Sequence, residues 1–193
     1  MRIDQLTLKY FKGFESREFP FHPQFNLLVG KNGTGKTSTL DALAVAVGSW
    51  FLGIKGVAIR HIRANEVMLR DLSDAAGQGP SSVQWEYAYP CEVAAQGEVQ
   101  GKPIGWRRAL NGPKGRTTSR EAMKIKALAA VADADVRQGK GVSLPLLAYY
   151  GTADGCGRNR GSRFRSRTRG GYPTKETSPA CRVIGTASTR GSP

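Results

Sequence analysis

A glycine-rich segment near the N-terminus carries the residue types that bind phosphate groups. Residues 30–37 match the pattern G-x-x-x-x-G-K-[ST] at every position. Glycine allows backbone conformations that turn successive amides toward an anion, and a helix starting directly after such a loop points its positive end at the same anion. From average residue frequencies, a chance match in a chain of this length is on the order of 1%. The segment is therefore predicted to bind nucleotide phosphates, and the alternative is an ordinary glycine-rich turn.

Each position of this segment, extended to residue 38 and called the phosphate loop below, has a predicted task. Lys36 supplies a positive charge to the β- and γ-phosphates, and Thr37 offers its hydroxyl to Mg²⁺. Ser38 adds a second hydroxyl to the phosphate shell. The other positions form the cradle, and they are Gly30, Lys31, Asn32, Gly33, Thr34 and Gly35.

The phosphate loop requires a strand before it and a helix after it. Phe25–Val29 is a short continuous apolar run, which is typical of a strand buried on both faces of a parallel sheet. Helically spaced apolar residues predict a helix over 36–50. Upstream, an alternating pattern over 3–8 predicts a strand, followed by a turn at 12–14 and a returning strand over 17–21.

Weaker signals describe the rest of the first 150 residues. In the helix predicted over 119–136, Ser119 is the expected N-cap, and Met123, Leu128 and Val131 are expected to face the core. The other predicted elements are a strand over 66–72, a loop over 74–82, antiparallel strands over 83–93 and 104–110 with a turn at 100–101, a loop over 111–115 and a strand over 144–150.

The phosphate loop and its flanks together resemble the start of RecF/SMC-like ATPases, ABC-type proteins often grouped with the AAA family. The resemblance rests on Ile3-x-x-Leu6-x-Leu8-x-x-Phe11-Lys12-Gly13-Phe14, on Phe25 to Ser38 and on Leu40-Asp41-Ala42. Within that class the chain is most similar to a bacterial group of predicted ATP-binding proteins, over about the first 150 residues. The resemblance implies an α/β fold of the P-loop NTPase kind, the N-terminal lobe of an ABC-type ATPase with an antiparallel β part and an incomplete sheet.

The resemblance also implies ligands and partners. ATP and Mg²⁺ are the implied cofactors, a homodimer and DNA are implied partners, and the family includes DNA-repair and phage-defence proteins. Lys12 occupies the place of a basic residue that in relatives approaches the nucleotide phosphates or DNA, and an exposed turn lysine is the alternative with equal weight. The glutamine that in relatives reaches Mg²⁺ and the attacking water has no assigned position.

Hydrolysis in this family needs a Walker B strand ending in Asp-Glu, an L-S-x-G-[QE] signature and a switch histidine, and the sequence shows none of them. Asp133 and Asp135 stand beside alanines in a predicted helix and are interpreted as solvent-facing. We therefore assign no catalytic residue and expect ATP or ADP binding with negligible turnover. The chain is interpreted as truncated before these motifs.

Residues 151–193 differ in composition from the rest. The chain has 29 Lys+Arg against 15 Asp+Glu, a net charge of +14, and this stretch has 9 against 2, which is half of the net charge. With so few large apolar residues it is predicted to be a disordered basic tail. It either binds nucleic acid through phosphate contacts or is a sequence translated in a shifted reading frame. We favour a frameshift because reading 153–159 one base out permits Gly-Arg-Leu-Trp-Ala-Glu, which continues the family resemblance.

The cysteines, the histidines and the absence of long apolar runs exclude several classes of protein. Cys91, Cys156 and Cys181 form no C-x-x-C pair and the two histidines lie far apart, so neither a disulfide framework nor a zinc site is indicated. No apolar run has membrane-spanning length and the N-terminus lacks a signal-type apolar region, so a cytoplasmic protein without membrane contact is predicted. A strand at 25–29 without its neighbours would expose apolar surface, which predicts marginal stability and aggregation.

Overall fold

The computed structural model describes residues 1–71 and 85–150. In chain order the strands are β1 (Arg2–Phe11), β2 (Phe14–Pro20), β3 (Leu69–Asp71), β4 (Trp85–Tyr87), β5 (Cys91–Val99) and β6 (Lys102–Leu110). The α-helices are α1 (Lys36–Val47) and α2 (Met123–Arg137), with 3-10 turns at Gly48–Gly53, Ala64–Glu66 and Arg120–Ala122. This is the α/β lobe with an antiparallel part that the sequence predicts.

The main sheet has four antiparallel strands in the order β2-β1-β5-β6. β1 is one of its two inner strands, because Leu6 lies opposite Phe19 of β2 on one side and opposite Ala95 of β5 on the other. The β1–β5 pairing also sets Arg2 opposite Glu98. The sheet thus joins the N-terminus to a hairpin almost a hundred residues later in the chain.

Two tight turns connect neighbouring strands of this sheet, and both are where the sequence predicts them. Lys12 and Gly13 join β1 to β2, with Phe11 opposite Phe14. Gln100 and Gly101 join β5 to β6, and their φ angles of 50° and 77° are positive. Turns with positive φ at both central positions match the twist of a hairpin, which fixes its register.

The core lies between the sheet and α1. Leu6 and Leu8 of β1 and Val93 of β5 are fully buried, and α1 contacts β1, β5 and β6. The indole Nε1 of Trp106 donates a hydrogen bond of 2.9 Å to the carbonyl of Ala46. This bond ties β6 to the end of α1, so the helix that follows the phosphate loop has a fixed place on the sheet.

The buried face of α2 differs from the predicted one. Met123 is 51% exposed and Val131 is 61% exposed, so the prediction that they face the core was wrong, while Leu128 is half-buried. The buried residues are Ile125, Ala129 and Ala132. Small side chains lie inward because α2 approaches the chain closely at Gly53, where an added Cβ would lie 2.7 Å from that of Ala129.

The start of α2 also differs from the prediction. The helix begins at Met123 after the 3-10 turn Arg120–Ala122. Ser119 precedes that turn and its side chain makes no capping hydrogen bond, so its prediction as the N-cap of the helix was wrong. The turn separates Ser119 from the amides that a cap would satisfy.

The predicted strand Phe25–Val29 is not a strand in the structure. Phe25 is 74% exposed, Leu27 is 73% exposed and Val29 is 83% exposed. A strand of this composition needs a neighbour on each side, and within residues 1–71 and 85–150 no strand lies beside it. The exposed apolar surface that the sequence predicts for an unpartnered strand is therefore present.

Several other predicted elements are shorter than expected. Of the strand predicted over 66–72, the described residues form β3 from Leu69 to Asp71, and the described part of the strand predicted over 83–93 is divided into β4 and the first three residues of β5, which continues to Val99. β3 and β4 pair as a separate two-stranded sheet.

The chain divides into two units after Leu144, and the described residues 145–150 of the second unit form no strand. The strand predicted over 144–150 was therefore wrong. The loop predicted over 74–82 and the tail 151–193, with its predicted disorder and frameshift, lie outside the described residues. In the part of the chain that is described, no helix has both the length and the apolar character to cross a bilayer.

Candidate nucleotide site

The phosphate loop lies between the segment at 25–29, which has no regular secondary structure, and α1, and residues 29–34 are exposed to solvent. Gly33 and Gly35 adopt φ angles of 85° and 89°, a region that favours glycine over residues with a Cβ. The hydroxyl of Thr34 donates a hydrogen bond of 2.9 Å to the carbonyl of Lys31. The loop is therefore a folded turn that an anion can reach.

Lys36 lies at the first position of α1 and folds back over the loop. Its Nζ donates hydrogen bonds of 2.7 Å to the carbonyls of both Gly30 and Lys31. The ammonium thus holds the start of the loop against the start of the helix. It places a positive charge inside the turn that the sequence predicts to surround phosphate.

The first turn of α1 completes the donor set. The amides of Lys36, Thr37 and Ser38 have no acceptor within the helix, and the amide and hydroxyl of Thr39 both bond the carbonyl of Gly35, at 2.9 Å and 3.1 Å. No acidic side chain stands in this first turn. The positive end of the helix is therefore free of a local carboxylate that would compete with an anion.

Thr37 is exposed at this first turn, next to Lys36. The described residues contain no group of three or more His, Cys, Asp or Glu side chains that could hold a metal ion by themselves. Mg²⁺ at phosphate sites keeps several waters and takes one or two protein ligands plus phosphate oxygens. An accessible hydroxyl beside the phosphate lysine fits that chemistry.

A cleft of about 370 Å³ adjoins the loop. Lys36 and Thr37 provide a cation and a hydroxyl at its wall, and Asn26 adds an amide. The other lining residues are apolar, and they are Phe21, Leu28, Leu40 and Leu43. The cleft thus combines a polar end formed by the helix start with an apolar wall.

The turn between β1 and β2 packs against the phosphate loop. A Cβ added at Gly35 would overlap the ring of Phe14. Phe14 in turn packs edge-on against Phe19, with ring centroids 5.5 Å apart. Gly35 is thus required both by its backbone angle and by the aromatic ring that covers it.

Lys12 lies on the same turn and is ion-paired. Its Nζ donates to Asp41 Oδ2 and lies 3.9 Å from Glu66 Oε1, and its side chain is 27% exposed. The alternative of a freely exposed turn lysine therefore does not describe its environment. Its approach to a nucleotide phosphate stays a prediction.

Lys12 belongs to a closed group of four charged side chains, called the ion-pair ring below. Arg60 Nη2 bonds Glu66 Oε1 and lies 3.9 Å from Asp41 Oδ1, while Arg60 Nη1 lies 3.0 Å from Glu66 Oε2. The ring residues are Lys12, Asp41, Arg60 and Glu66. Sequence reasoning did not predict the ring and gave no role to its last three members, and the one local signal is the carboxylate of Asp41 within the apolar stretch of α1 over residues 40–47.

The acidic residues that were excluded as catalytic lie on the surface of α2. Arg137 Nε is 2.9 Å from Asp133 Oδ2, and Lys140 Nζ is 3.0 Å from Asp135 Oδ1. The Asp133 and Asp135 side chains are 17% and 29% exposed, so both aspartates lie at the surface but are partly covered rather than fully solvent-facing.

Three groups away from the phosphate loop have shifted pKa values. Burial lowers the pKa of Arg108 to about 10, and its Nη2 lies 3.2 Å from His61 Nδ1. Burial, followed by the charges of Arg108, Arg60 and Arg116, lowers the pKa of His61. Burial raises the pKa of the Cys91 thiol to about 12. The shifted pKa values of these groups affect how stability depends on pH, and we assign these groups no role in phosphate binding.

Comparison with known proteins places the chain in a family. A protein-family model described as an AAA domain matches residues 5–168. The DNA replication and repair protein RecF of Heliobacterium modesticaldum is 26% identical over 133 residues, which are 69% of this chain and 30% of that protein. RecF of Proteus mirabilis is 38% identical over 71 residues, 37% of this chain and 18% of that protein.

A third relative is the structural maintenance of chromosomes protein 2 of Plasmodium falciparum, 42% identical over 50 residues, 25% of this chain and 4% of that protein. The chain spans less than a third of the length of these relatives. Since the AAA domain match covers most of the chain and includes the whole phosphate loop, the chain belongs to the AAA domain family, as a RecF/SMC-like AAA ATPase.

Proposed function

We propose that this chain binds ATP with Mg²⁺ through the phosphate loop. The observation that carries the proposal is the position of Lys36, whose Nζ bonds the carbonyls of Gly30 and Lys31 at the start of α1. This arrangement puts a cation, three amides without helical acceptors and the hydroxyl of Thr37 around one exposed turn. A triphosphate offers the charge and the oxygen acceptors that match these donors.

Mg²⁺ would be held by Thr37 together with phosphate oxygens, and it would neutralise part of the phosphate charge. The residues of the chain perform the other tasks. The loop backbone and Ser38 bind the phosphates, Lys36 orients them, and Phe14 keeps Gly35 in the conformation that the turn requires. Lys12 is retained as a further cation beside the phosphates, with its Nζ still paired to Asp41.

A titration of the chain with fluorescent ATP tests the proposal. Lys36→Ala is expected to weaken binding at least about tenfold, because it removes a charge-assisted contact to phosphate. Lys55→Ala is the matched control, because Lys55 is an exposed lysine away from the loop. Equal affinity of the wild-type chain and Lys36→Ala would refute the proposal.

The relatives suggest the setting in which binding is used. Two of them are named DNA replication and repair proteins and one is a structural maintenance of chromosomes protein. We propose that the whole protein couples ATP binding and hydrolysis to work on DNA, as a homodimer. For the chain described here we propose nucleotide retention with negligible turnover, which a phosphate-release assay run beside the titration measures.

A second candidate function is nucleic-acid binding, and the net charge of +14 favours it. Affinity for DNA that falls steeply as salt increases, and that disappears when residues 151–193 are deleted, would support this candidate. Affinity that is insensitive to salt would exclude it.

A further inference from the structure

The ion-pair ring is built from parts of the chain that are far apart in sequence. Lys12 lies on the β1–β2 turn, Asp41 on α1, Arg60 in the segment after α1 and Glu66 at the end of a 3-10 turn. Asp41 is 7% exposed and Glu66 is 4% exposed. Buried carboxylates are retained only where cations compensate them, so each pair in the ring depends on the others.

Hydrogen bonds with main-chain amides also hold two members of the ring in place. The amide of Lys12 donates a hydrogen bond of 2.6 Å to the carbonyl of Glu66. The Glu66 carboxylate also accepts the amide of Arg63 at 2.9 Å. The β1–β2 turn and the segment around Glu66 are thus joined to each other, and Lys12 links them to Asp41 of α1.

Arg60 approaches α1 from the C-terminal end of the helix, whereas Lys12 approaches from the β1–β2 turn. A Cβ added at Gly48, directly after α1, would lie 3.3 Å from the Cβ of Arg60, while the guanidinium of Arg60 reaches Asp41. Arg60 and Lys12 therefore hold the Asp41 carboxylate from two directions. Asp41 is the one ring member that belongs to α1 itself.

Asp41 lies one helical turn after Thr37, about 6 Å along the axis of α1. The turn that carries Lys12 also carries Phe14, which covers Gly35 at the junction of loop and helix. The ring and the Phe14 contact therefore fix the same end of the same helix. A shift of α1 along its axis would move Lys36, Thr37 and the free amides together.

We propose that Asp41 is a positioning residue for the phosphate loop. Its carboxylate, held by Lys12 and Arg60, sets the depth of α1 against the β1–β2 turn, and thereby the geometry of the donors at the helix start. The inference rests on the proposed function, because a positioning residue needs a nucleotide to position. It assigns to Asp41, Arg60 and Glu66 a role in nucleotide affinity although none of them is part of the loop.

The direction in which Asp41→Asn changes the affinity for ATP distinguishes a positioning role from a purely electrostatic one. Asp41→Asn changes the ring from neutral to a net charge of +1, which by charge alone would strengthen the binding of a triphosphate. Loss of positioning predicts the opposite, a weakening of ATP affinity by about tenfold, within the range found for residues that act in one network. Asp41→Asn with Arg60→Gln restores a neutral ring but not the contacts.

The test is a fluorescent-ATP titration of the wild-type chain, Asp41→Asn, the double variant and Lys36→Ala, with the folded fraction of each followed by circular dichroism. Arg137→Gln breaks an exposed ion pair on α2 and is the matched control, with unchanged affinity expected. Weakened binding by Asp41→Asn and by the double variant at full folded fraction supports the proposal. If Asp41→Asn does not fold, the double variant, in which the charges balance, is the deciding sample.

Unchanged or tighter binding by the folded Asp41→Asn variant would overturn the inference while leaving the proposed function standing. Recovery of wild-type affinity in the double variant would also overturn it, because the contacts of the Asp41 carboxylate, which the double variant lacks, would then not be needed for affinity. If the wild-type chain binds no better than Lys36→Ala, the proposed function fails and this inference fails with it.

Discussion

Gly35→Ala should be the most damaging single-methyl substitution in the phosphate loop, and two separable causes contribute. Gly35 has a φ of 89°, and a residue with a Cβ in this region costs about 1–3 kcal/mol. The new methyl would also overlap the ring of Phe14, and inserting an extra carbon into a packed site costs typically about 1–3 kcal/mol. The free energy of unfolding should therefore fall by about 2–6 kcal/mol.

Gly56→Ala is the matched control for backbone strain alone. Gly56 has a φ of 81°, and an added Cβ would meet no atom within 4 Å. Its substitution should cost only the strain, about 1–3 kcal/mol. Combining Gly35→Ala with Phe14→Ala removes the overlap, so the cost of the glycine substitution should fall to that of the control.

Urea unfolding followed by circular dichroism measures all four changes. The reasoning is refuted if Gly35→Ala costs the same with and without the Phe14 ring, because the overlap would then contribute nothing. It is also refuted if Gly35→Ala and Gly56→Ala cost the same in the wild-type background. In either case Phe14 would not be in contact with the loop in solution.

Three further predictions concern other parts of the molecule. Cys91 is fully buried with its pKa raised to about 12, so in a Cys156→Ser, Cys181→Ser background a thiol reagent at pH 8 should label it slowly until urea unfolds the chain. Folding lowers the pKa of His61. Below pH 6.5 the unfolded chain therefore binds a proton at His61 more readily than the folded chain does, so the free energy of unfolding should fall as the pH falls. His61→Gln should make the free energy of unfolding depend less on pH in this range. Replacing Phe25, Leu27 and Val29 together by threonine should raise the soluble fraction after centrifugation, because all three are exposed.

Each of these predictions has a contrary result. Labelling of Cys91 as fast as that of a free thiol would show that β5 opens readily. If stability increases as the pH is lowered from 6.5 to 5, and does so only when His61 is present, then folding raises rather than lowers the pKa of His61, contrary to the effect of its burial and of the neighbouring arginines. Leu28→Thr is the control for the threonine variant, because Leu28 lines the cleft, and an equal gain in solubility from it would show that general polarity rather than exposed surface is responsible.

The phosphate loop was predictable because its signal is local. The pattern over 30–37, the helix start at Lys36 and the turn at Lys12-Gly13 all depend on residues that are adjacent in sequence. The hairpin turn at Gln100-Gly101 was predictable for the same reason. A position that requires a particular backbone conformation restricts which residue types can occupy it, and glycine at a positive φ is the clearest example.

The failures concern contacts that no short segment specifies. An apolar run such as Phe25–Val29 indicates which residues prefer burial, but a strand exists only where a neighbour accepts its hydrogen bonds. The buried face of α2 is set by Ala129 approaching Gly53, and a small residue has too little hydrophobicity to mark a face by itself. The ion-pair ring joins positions 12, 41, 60 and 66, a spacing that carries no periodic signal.

The pairing of β1 with β5 has a consequence for how the chain is synthesised. Arg2 finds its partner only when Glu98 exists, so the nascent N-terminal strand leaves the ribosome long before its central neighbour is made. Non-local pairings of this kind fold slowly and leave strand edges open in the meantime. During that interval α1 has neither β5 nor β6 to pack against, so the open edge of β1 and the buried side of α1 stay exposed to solvent until the hairpin has been synthesised.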